Sequence, residues 1–328
     1  MNVKPQVFVT RRIPEEGIKI LMEHCVTEVS DFDGVLPRET LLEKVKGKDG
    51  ILCLLTDTID REVMETAGPS LKVIANYAVG FDNIDVEEAT RRGIMVTNTP
   101  GVLTETTADL TWALMMSIAR RIVEGDKFVR AGKFRGWEPM LLLGTDVYGS
   151  TLGIIGFGRI GQAMARRASG FNMKVIYFDM QKAPSQIENE LKASFRALSE
   201  LLREADFVTI HVPLTSETYH LIGEQELKMM KKEAYLINSA RGPIVDEKAL
   251  ARALEENWIR GAALDVFERE PKVEPKLLEL DNVVLTPHLG SASYATRTKM
   301  AVMAADNLVR ALRGEIPPNL VNRETISR

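Results

Sequence analysis

The amino-acid sequence predicts an α/β protein with two doubly wound parallel sheets. Three observations predict it. Apolar runs of strand length alternate with amphipathic segments from Gln6 to about Val96, a glycine turn at Gly156 to Gly161 stands between an apolar run and a helical pattern, and the alternation then continues to His288. Strands that alternate with single helices need right-handed crossovers, and such crossovers give parallel sheets.

In the first part the runs are QVFVT, VTEV, GILCLL, KVIANY and IMVT, separated by amphipathic segments that begin near Pro14, Pro37, Asp60 and Asp85. Pro14 suits the first turn of a helix, where a missing N–H costs nothing. Five strands in this arrangement make a flavodoxin-like unit, and ligands of such sheets lie beyond the carboxyl ends of the strands. Those ends carry Leu55-Thr56 and Asn76-Tyr77-Ala78-Val79-Gly80. The Ala78-Val79-Gly80 stretch is either a turn that needs glycine or a set of backbone N–H groups offered to an anionic substrate.

The texture changes between Asn98 and Gly149. One helical run is predicted from Thr106 to about Arg130, apolar all round its first half, which fits core packing as well as an interface. From Phe134 to Tyr148 a long apolar segment with Trp137, Pro139 and Met140 lacks periodicity. Exposed apolar stretches of that length are covered by something, and a second subunit is the expected cover.

Thr151 to Asp179 reads as strand, glycine turn, helix, strand, acid. In Gly156-Phe157-Gly158-Arg159-Ile160-Gly161 the first glycine makes the tight turn, the second admits a pyrophosphate, and the third lets helix and strand pack closely. The helix N-terminus then faces the phosphates with unpaired N–H groups. Asp179 stands where a carboxylate accepts hydrogen bonds from the adenine ribose hydroxyls. It also repels a 2′-phosphate, so the expected cofactor is NAD, with NADP disfavoured; Lys182 leaves some tolerance of NADP. After this Rossmann opening, strand runs recur at FVTIHV, AYLINSA, GAALDVF and NVVLTPH, and a last helix is predicted from Ser293 to Leu312, ending at Gly314.

Three candidate chemical residues follow strand runs: Arg241 after Asn238, Asp265 after GAAL, and His288 after VVLTP, with Glu270 in the loop after Asp265. Reducing a 2-keto acid needs a cation to hold the carboxylate and polarise the carbonyl, and an acid to protonate the developing alkoxide. Arg241 suits the first task, because a guanidinium is always charged and binds carboxylates in bidentate fashion. His288 suits the second. Glu270 beside it would orient the ring and favour the imidazolium. Each has a bland reading as a surface arginine, a solvated acid or a strand-end histidine; their joint arrival beside a dinucleotide fold favours the chemical one. His211 and His220 read as structural, His211 with a place lining the cofactor cleft, and His24 as a helix-end surface residue.

The bulk numbers exclude several classes. The 328 residues are 45% hydrophobic, enough for two cores, and 42 Lys plus Arg stand against 46 Asp plus Glu for a net charge of −4. That is not the footprint of a nucleic-acid binder. No stretch approaches the roughly 18 apolar residues of a membrane span. The N-terminal apolar run is too short for a secretory leader and arginines follow it, so the expected location is cytoplasmic. Cys25 and Cys53 are expected as reduced, buried thiols in strand-like runs, and four histidines without a CxxC predict no metal.

At these residues the chain resembles the D-isomer-specific 2-hydroxyacid dehydrogenases, most closely their archaeal-type glyoxylate (hydroxypyruvate) reductases. The similar stretches are NYAVGFDNIDVEEATRRGI, TNTPGVLTETTADL, GIIGFGRIGQAMARRASGFNMKVIYFD, INSARGPIVD, ALDVFEREP and NVVLTPHLGSAS. The resemblance implies a catalytic set of Arg241, Glu270 and His288. It implies cofactor contacts from Gly156, Gly158, Arg159, Ile160 and Gly161, from Asp179, Met180 and Gln181, from Pro213, from Ser239, Ala240 and Arg241, from Asp265, and from His288 and Gly290. Leu55, Val79, Gly80 and Arg241 would meet the substrate.

It further implies a discontinuous substrate domain, 1–100 plus 289–328, and an NAD-binding domain, 101–288. The segment 106–148 would form the surface of a homodimer, and a tryptophan similar to Trp137 reaches the partner's active site in relatives. Some similar reductases carry a small residue and an arginine after the second strand and use NADP, where this chain has Phe178-Asp179-Met180-Gln181-Lys182. The expected activity is reduction of glyoxylate or hydroxypyruvate. Alternatives on the same fold are oxidation of other hydroxy acids, phosphite or formate, and an NAD-sensing corepressor without catalysis. The complete catalytic set argues for an enzyme.

Overall fold

The structure is a computed structural model that describes residues 4–327; Met1 to Val3, part of the segment weighed as a leader, and Arg328 lie outside it. The chain divides into two compact units. One ends at Leu103 and resumes at Ser291, and the other is Thr104–Gly290.

The first unit runs β1 (Gln6–Val9), α1 (Glu15–His24), β2 (Val26–Val29), α2 (Arg38–Val45), β3 (Gly50–Cys53), α3 (Arg61–Ala67), β4 (Val73–Asn76), α4 (Val86–Arg91) and β5 (Met95–Thr97). Its sheet is parallel, in the order β2-β1-β3-β4-β5, the flavodoxin-like order. β3 and β4 are buried throughout, which is why they form unbroken apolar runs. Pro14 and Pro37 each stand one residue before their helices, a position earlier than the first-turn placement predicted for Pro14. Asp60 and Asp85 are N-caps whose carboxylates accept from Val63 and Glu88 N–H. Cys53 closes β3, whereas Cys25 lies between α1 and β2 rather than in a strand; both are buried, and burial pushes both thiols above the ordinary range.

The second unit opens with α5 (Thr104–Ala119) and α6 (Ile122–Arg130). Then follow β6 (Thr151–Ile155), α7 (Arg159–Ser169), β7 (Lys174–Phe178), α8 (Ser185–Leu191), β8 (Ala193–Phe195), α9 (Leu198–Glu204), β9 (Phe207–Ile210), α10 (Glu224–Met229), β10 (Tyr235–Asn238), α11 (Glu247–Glu255), β11 (Gly261–Leu264) and β12 (Val283–Leu285). Its parallel sheet has the order β12-β11-β10-β9-β6-β7-β8. Two details differ from the expectation. The helical run predicted as continuous is broken at Arg121, whose φ of 53° is left-handed, and the freed Ala119 carbonyl accepts Thr145 N–H at 2.8 Å. No glycine or proline marks this break. The edge strand β8 was not predicted: it has three residues, pairs only with β7, and buries only Ala193 fully, so it carries no apolar pattern.

After the second unit the chain returns to the first as α12 (Tyr294–Leu312), capped by Ser293 Oγ at 3.2 Å from Thr296 N. It packs on α1 so closely that a Cβ on Gly17 would lie 2.7 Å from Ala301 O. The predicted last helix thus belongs to the first unit's core, with Met300, Ala301, Ala304 and Leu308 buried against β-strand residues Val7, Val9 and Leu52.

Candidate active site

The three glycines of the turn after β6 stand in different surroundings. Gly156 has φ +93°, and a Cβ on it would sit 2.7 Å from the His211 carbonyl carbon. At Gly161 a Cβ would overlap the Gly156 carbonyl oxygen, so α7 rests directly on the turn. Gly158 is the opposite case: a Cβ there meets nothing within 4 Å, and as the residue before α7 it provides no side-chain cap. An uncapped helix N-terminus beside open, exposed backbone fits a pyrophosphate, whose oxygens would take the α7 N–H groups.

Asp179 follows β7 and is already engaged. Its Oδ2 accepts Phe157 N–H and its Oδ1 accepts Met180 N–H, both at 2.7 Å, so it braces the glycine turn from the neighbouring strand end. Met180 and Gln181 are exposed beyond it, as is Pro213 after β9. His211 is partly buried with Nε2 enclosed and without a hydrogen-bond partner among the described residues, and burial pushes its pKa down to about 3. It is therefore neutral at physiological pH.

Parallel register brings the downstream candidates to one edge. Asn238, Leu264 and Leu285 are in register across β10, β11 and β12, so the residues that follow them emerge side by side. After β10, Asn238 shapes the turn by accepting Ala240 N–H at 3.0 Å and donating to Arg241 O at 2.9 Å. Ser239 is buried, with Oγ 2.6 Å from Thr111 Oγ1 on α5.

After β11, Asp265 is fully buried and organises the turn that carries His288. Its Oδ1 accepts the Thr286 hydroxyl and Leu289 N–H, each at 2.7 Å, its Oδ2 accepts Gly290 N–H at 2.8 Å, and its carbonyl accepts His288 N–H at 2.8 Å. Burial raises its carboxyl above the usual range against the pull of those bonds. His288 needs the support, because its φ of 56° is left-handed and costs about 1 kcal/mol or more for a residue with a Cβ.

The His288 ring meets Glu270. Nδ1 lies 3.0 Å from Glu270 Oε2, while Glu270 Oε1 accepts Phe267 N–H at 3.1 Å. Burial works to raise the Glu270 carboxyl, but the bond and charge of His288, the Phe267 N–H and the charge of Arg241 prevail and hold it below the usual carboxylate range. With Nδ1 committed to the carboxylate, Nε2 is the nitrogen left to exchange a proton with a ligand. Among the described residues, no group of three or more His, Cys, Asp or Glu is placed to hold a metal ion.

In the first unit, Leu55 follows β3 and Val79 and Gly80 follow β4. Three asparagines fix these loops: Asn83 donates to Leu54 O and Asp57 O at 3.0 Å, Asn76 to Gly80 O at 2.9 Å, and Asn98 to Val79 O at 2.7 Å. The Val79 and Gly80 carbonyls are thereby tied inward. These asparagines, Thr111 and Thr286 escaped sequence reasoning; an asparagine at the end of each of two apolar runs, Asn76 and Asn238, was the available signal. A cleft of about 590 Å³ in the second unit, bordered by Arg121, Tyr235, Arg260 and Asn282, is at the amino ends of β10 to β12, away from this chemistry.

Residues 112–290 match the model of the D-isomer specific 2-hydroxyacid dehydrogenase NAD-binding domain, and the chain is 57% identical over 328 residues to the glyoxylate reductase of Pyrococcus horikoshii, covering 99% of this chain and 98% of that protein. The chain belongs to the D-isomer specific 2-hydroxyacid dehydrogenase family. A solved protein of Thermus thermophilus superposes on this dehydrogenase with TM-score 0.90 at 47% identity, over 96% of this chain and 99% of that one. The NADPH-dependent glyoxylate/hydroxypyruvate reductase of Sinorhizobium meliloti, solved with NADP and malonate, superposes with TM-score 0.86 at 32% identity, over 98% of each chain. This dehydrogenase is an oxidoreductase whose second unit is the family's NAD-binding fold and whose class of reaction is NAD(P)-dependent reduction of a 2-keto acid.

Proposed function

We propose that this dehydrogenase reduces a small 2-keto acid, glyoxylate or hydroxypyruvate, to its 2-hydroxy acid with NADH. The observation that carries the reading is the His288–Glu270 pair, 3.0 Å apart, at the same sheet edge as Arg241, in a chain 57% identical to a glyoxylate reductase. The Arg241 guanidinium binds the substrate carboxylate and polarises the keto oxygen. His288 Nε2 donates its proton to the oxygen as it becomes an alkoxide, and Glu270 keeps the ring oriented and stabilises the imidazolium until then. Bound NADH supplies the hydride. Asp179 selects NAD over NADP by charge, Ser239, Ala240 and Asp265 border the nicotinamide half, and the Val79 and Gly80 N–H groups are further contacts for the substrate carboxylate.

The protein acts as a homodimer in this proposal. Between Ile122 and Tyr148, Trp137 is 85% exposed and Met140 76%, α6 buries no residue, and Val129 and Phe134 are exposed as well. Apolar exposure on that scale marks an interface. A cytoplasmic location is the expectation; among the described residues no helix is long and apolar enough to cross a membrane. The deciding experiment follows NADH absorbance with a panel of 2-keto acids. Turnover on glyoxylate or hydroxypyruvate is expected, whereas tight NADH binding without turnover on any of them would replace the enzyme with a nucleotide sensor. Sedimentation should give a dimer, and Trp137→Glu should weaken it; a monomeric wild type would remove the interface.

A further inference from the structure

Glu247 is the first residue of α11 and is 6% exposed, an unusual place for a carboxylate in the first turn of a helix. A buried carboxylate persists only where hydrogen bonds replace its water. Here both oxygens are spent on the main chain of one loop. Oε1 accepts Glu268 N–H, and Oε2 accepts Glu274 N–H at 3.2 Å. A weaker bond returns from Glu247 N–H to Glu268 Oε2 at 3.4 Å. The two donors bracket Glu270 in sequence, so one side chain pins the loop on both sides of the residue that meets His288.

A second contact joins the same partners. A Cβ on Gly242 would overlap the carbonyl group of Phe267 and the nitrogen of Glu268, so the main chain beside Arg241 lies directly on the start of the Glu270 loop. Phe267 is in turn the N–H that holds Glu270 Oε1. The segment 241–247 therefore carries the substrate arginine at one end and the loop clamp at the other. It ties the main chain beside Arg241 to the loop that carries Glu270.

We infer that Glu247 is a positioning residue for the Glu270–His288 pair: its carboxylate sets the path of the 268–274 loop and so places Glu270 against the ring. The inference rests on the roles given above to Glu270 and His288. Glu247 is assigned no contact with substrate or cofactor. Its effect reaches the chemistry only through the place of Glu270, and that distinguishes it from a residue that merely stabilises the fold.

The test compares Glu247→Ala, Glu247→Gln, Glu270→Gln and the Glu247→Ala/Glu270→Gln double variant in the full chain. Two readouts are taken: the pH profile of keto-acid reduction, and the titration of the His288 ring by NMR, which needs no turnover and has only four histidines to resolve. Glu247→Ala is expected to lower kcat about 10-fold with little change in KM for NADH, and to move the alkaline limb and the ring titration to lower pH, as Glu270→Gln does. The double variant should move them no further than Glu270→Gln alone. Glu247→Gln keeps a carbonyl oxygen for one of the two N–H groups and should fall between wild type and Ala; it also carries the test if Ala fails to fold. A lowered Tm with both readouts unmoved in Glu247→Ala and Glu247→Gln, while Glu270→Gln moves them, overturns the inference alone. Both readouts unmoved in Glu270→Gln overturn the pair's assignment and the inference with it.

Discussion

Asp179 offers the sharpest test, because it has one duty in the structure and a second in the proposed function. Its carboxylate braces the glycine turn through Phe157 N–H and the next turn through Met180 N–H, both at 2.7 Å, and in the proposed function it sets negative charge against a 2′-phosphate. Asp179→Ala removes charge and brace together. Asp179→Asn removes the charge but keeps a carbonyl oxygen for one of the two N–H groups, its amide nitrogen facing the other. Two unit charges about 4 Å apart repel by roughly 1 to 4 kcal/mol as the effective dielectric falls from about 80 to about 20. That amounts to about 5-fold to 1000-fold in relative affinity. A neutral acceptor bonds about half as strongly as a carboxylate and one of the two bonds is lost, a weakening of the brace that falls on NADH and NADPH alike and so cancels in their ratio. The NADH-to-NADPH ratio of kcat/KM should therefore fall in Asp179→Asn, because only NADPH gains from the lost charge. In the wild type, discrimination should also weaken as salt rises, since the screening length shortens from about 30 Å at 0.01 M to about 8 Å at 0.15 M. The assay is steady-state oxidation of both cofactors at saturating glyoxylate and two ionic strengths. An unchanged ratio in the asparagine variant refutes charge selection and leaves Asp179 as a brace only.

His288→Ala should lower keto-acid reduction by roughly 10²-fold to 10⁴-fold, the scale of general acid catalysis, with NADH affinity by fluorescence titration nearly intact; near-normal turnover would reassign the acid. Glu270→Gln should move the alkaline limb of the reduction profile to lower pH, since the imidazolium loses its charge partner at 3.0 Å; a move to higher pH contradicts the orienting role. His211 is neutral in the fold, with a pKa of about 3, and titrates near 6.5 when unfolded, so the unfolded state binds the extra proton as pH falls. Its contribution to stability is complete above about pH 6.5 and is lost as pH falls toward 3, by about 2 kcal/mol at pH 5. Urea unfolding of His211→Gln should show that part of the acid slope removed, and an identical slope in both proteins would mean that the ring is solvated.

The doubly wound, parallel character of both sheets was legible because buried parallel strands are nearly continuous apolar runs and the crossovers are helices with clear polar faces. Pro14, Pro37, Asp60 and Asp85 announced helix starts within one residue, since capping chemistry is local. The break at Arg121 was not legible: the interruption comes from Thr145, 26 residues from Ala119, taking a carbonyl that would otherwise continue the helix. β8 was hidden for a related reason, because an edge strand with one fully buried residue owes its existence to β7 and not to its own pattern. Arg241, Asp265 and His288 could be found because strand ends are predictable, and register then places them together. The left-handed backbone of His288 could not, as nothing in Pro287-His288-Leu289 marks it.

The parts of the site that escaped the sequence share one device. Asp179 accepts main-chain N–H from Phe157, Asp265 from Leu289 and Gly290, Glu247 from Glu268 and Glu274, and Glu270 from Phe267. In each case a carboxylate fixes a loop by its backbone, so the loop's own side chains stay available for ligands. Main-chain donors carry no residue signature, and the separations, from 3 residues to 27, follow no period. Such bonds are therefore invisible to pattern while being worth more than neutral ones, at roughly 1.5 to 3 kcal/mol each. They also account for why Asp265, assigned from sequence to the cofactor, commits three of its lone pairs to the turn of His288. A carboxylate offers about four such positions, which leaves one for a ligand's amide. Asp265→Asn should accordingly disturb His288 at least as much as cofactor affinity: its amide nitrogen must face at least one N–H or hydroxyl donor where an acceptor is needed. If NADH affinity by fluorescence titration falls while the ring titration of His288 stays in place, the organising role assigned to Asp265 is wrong.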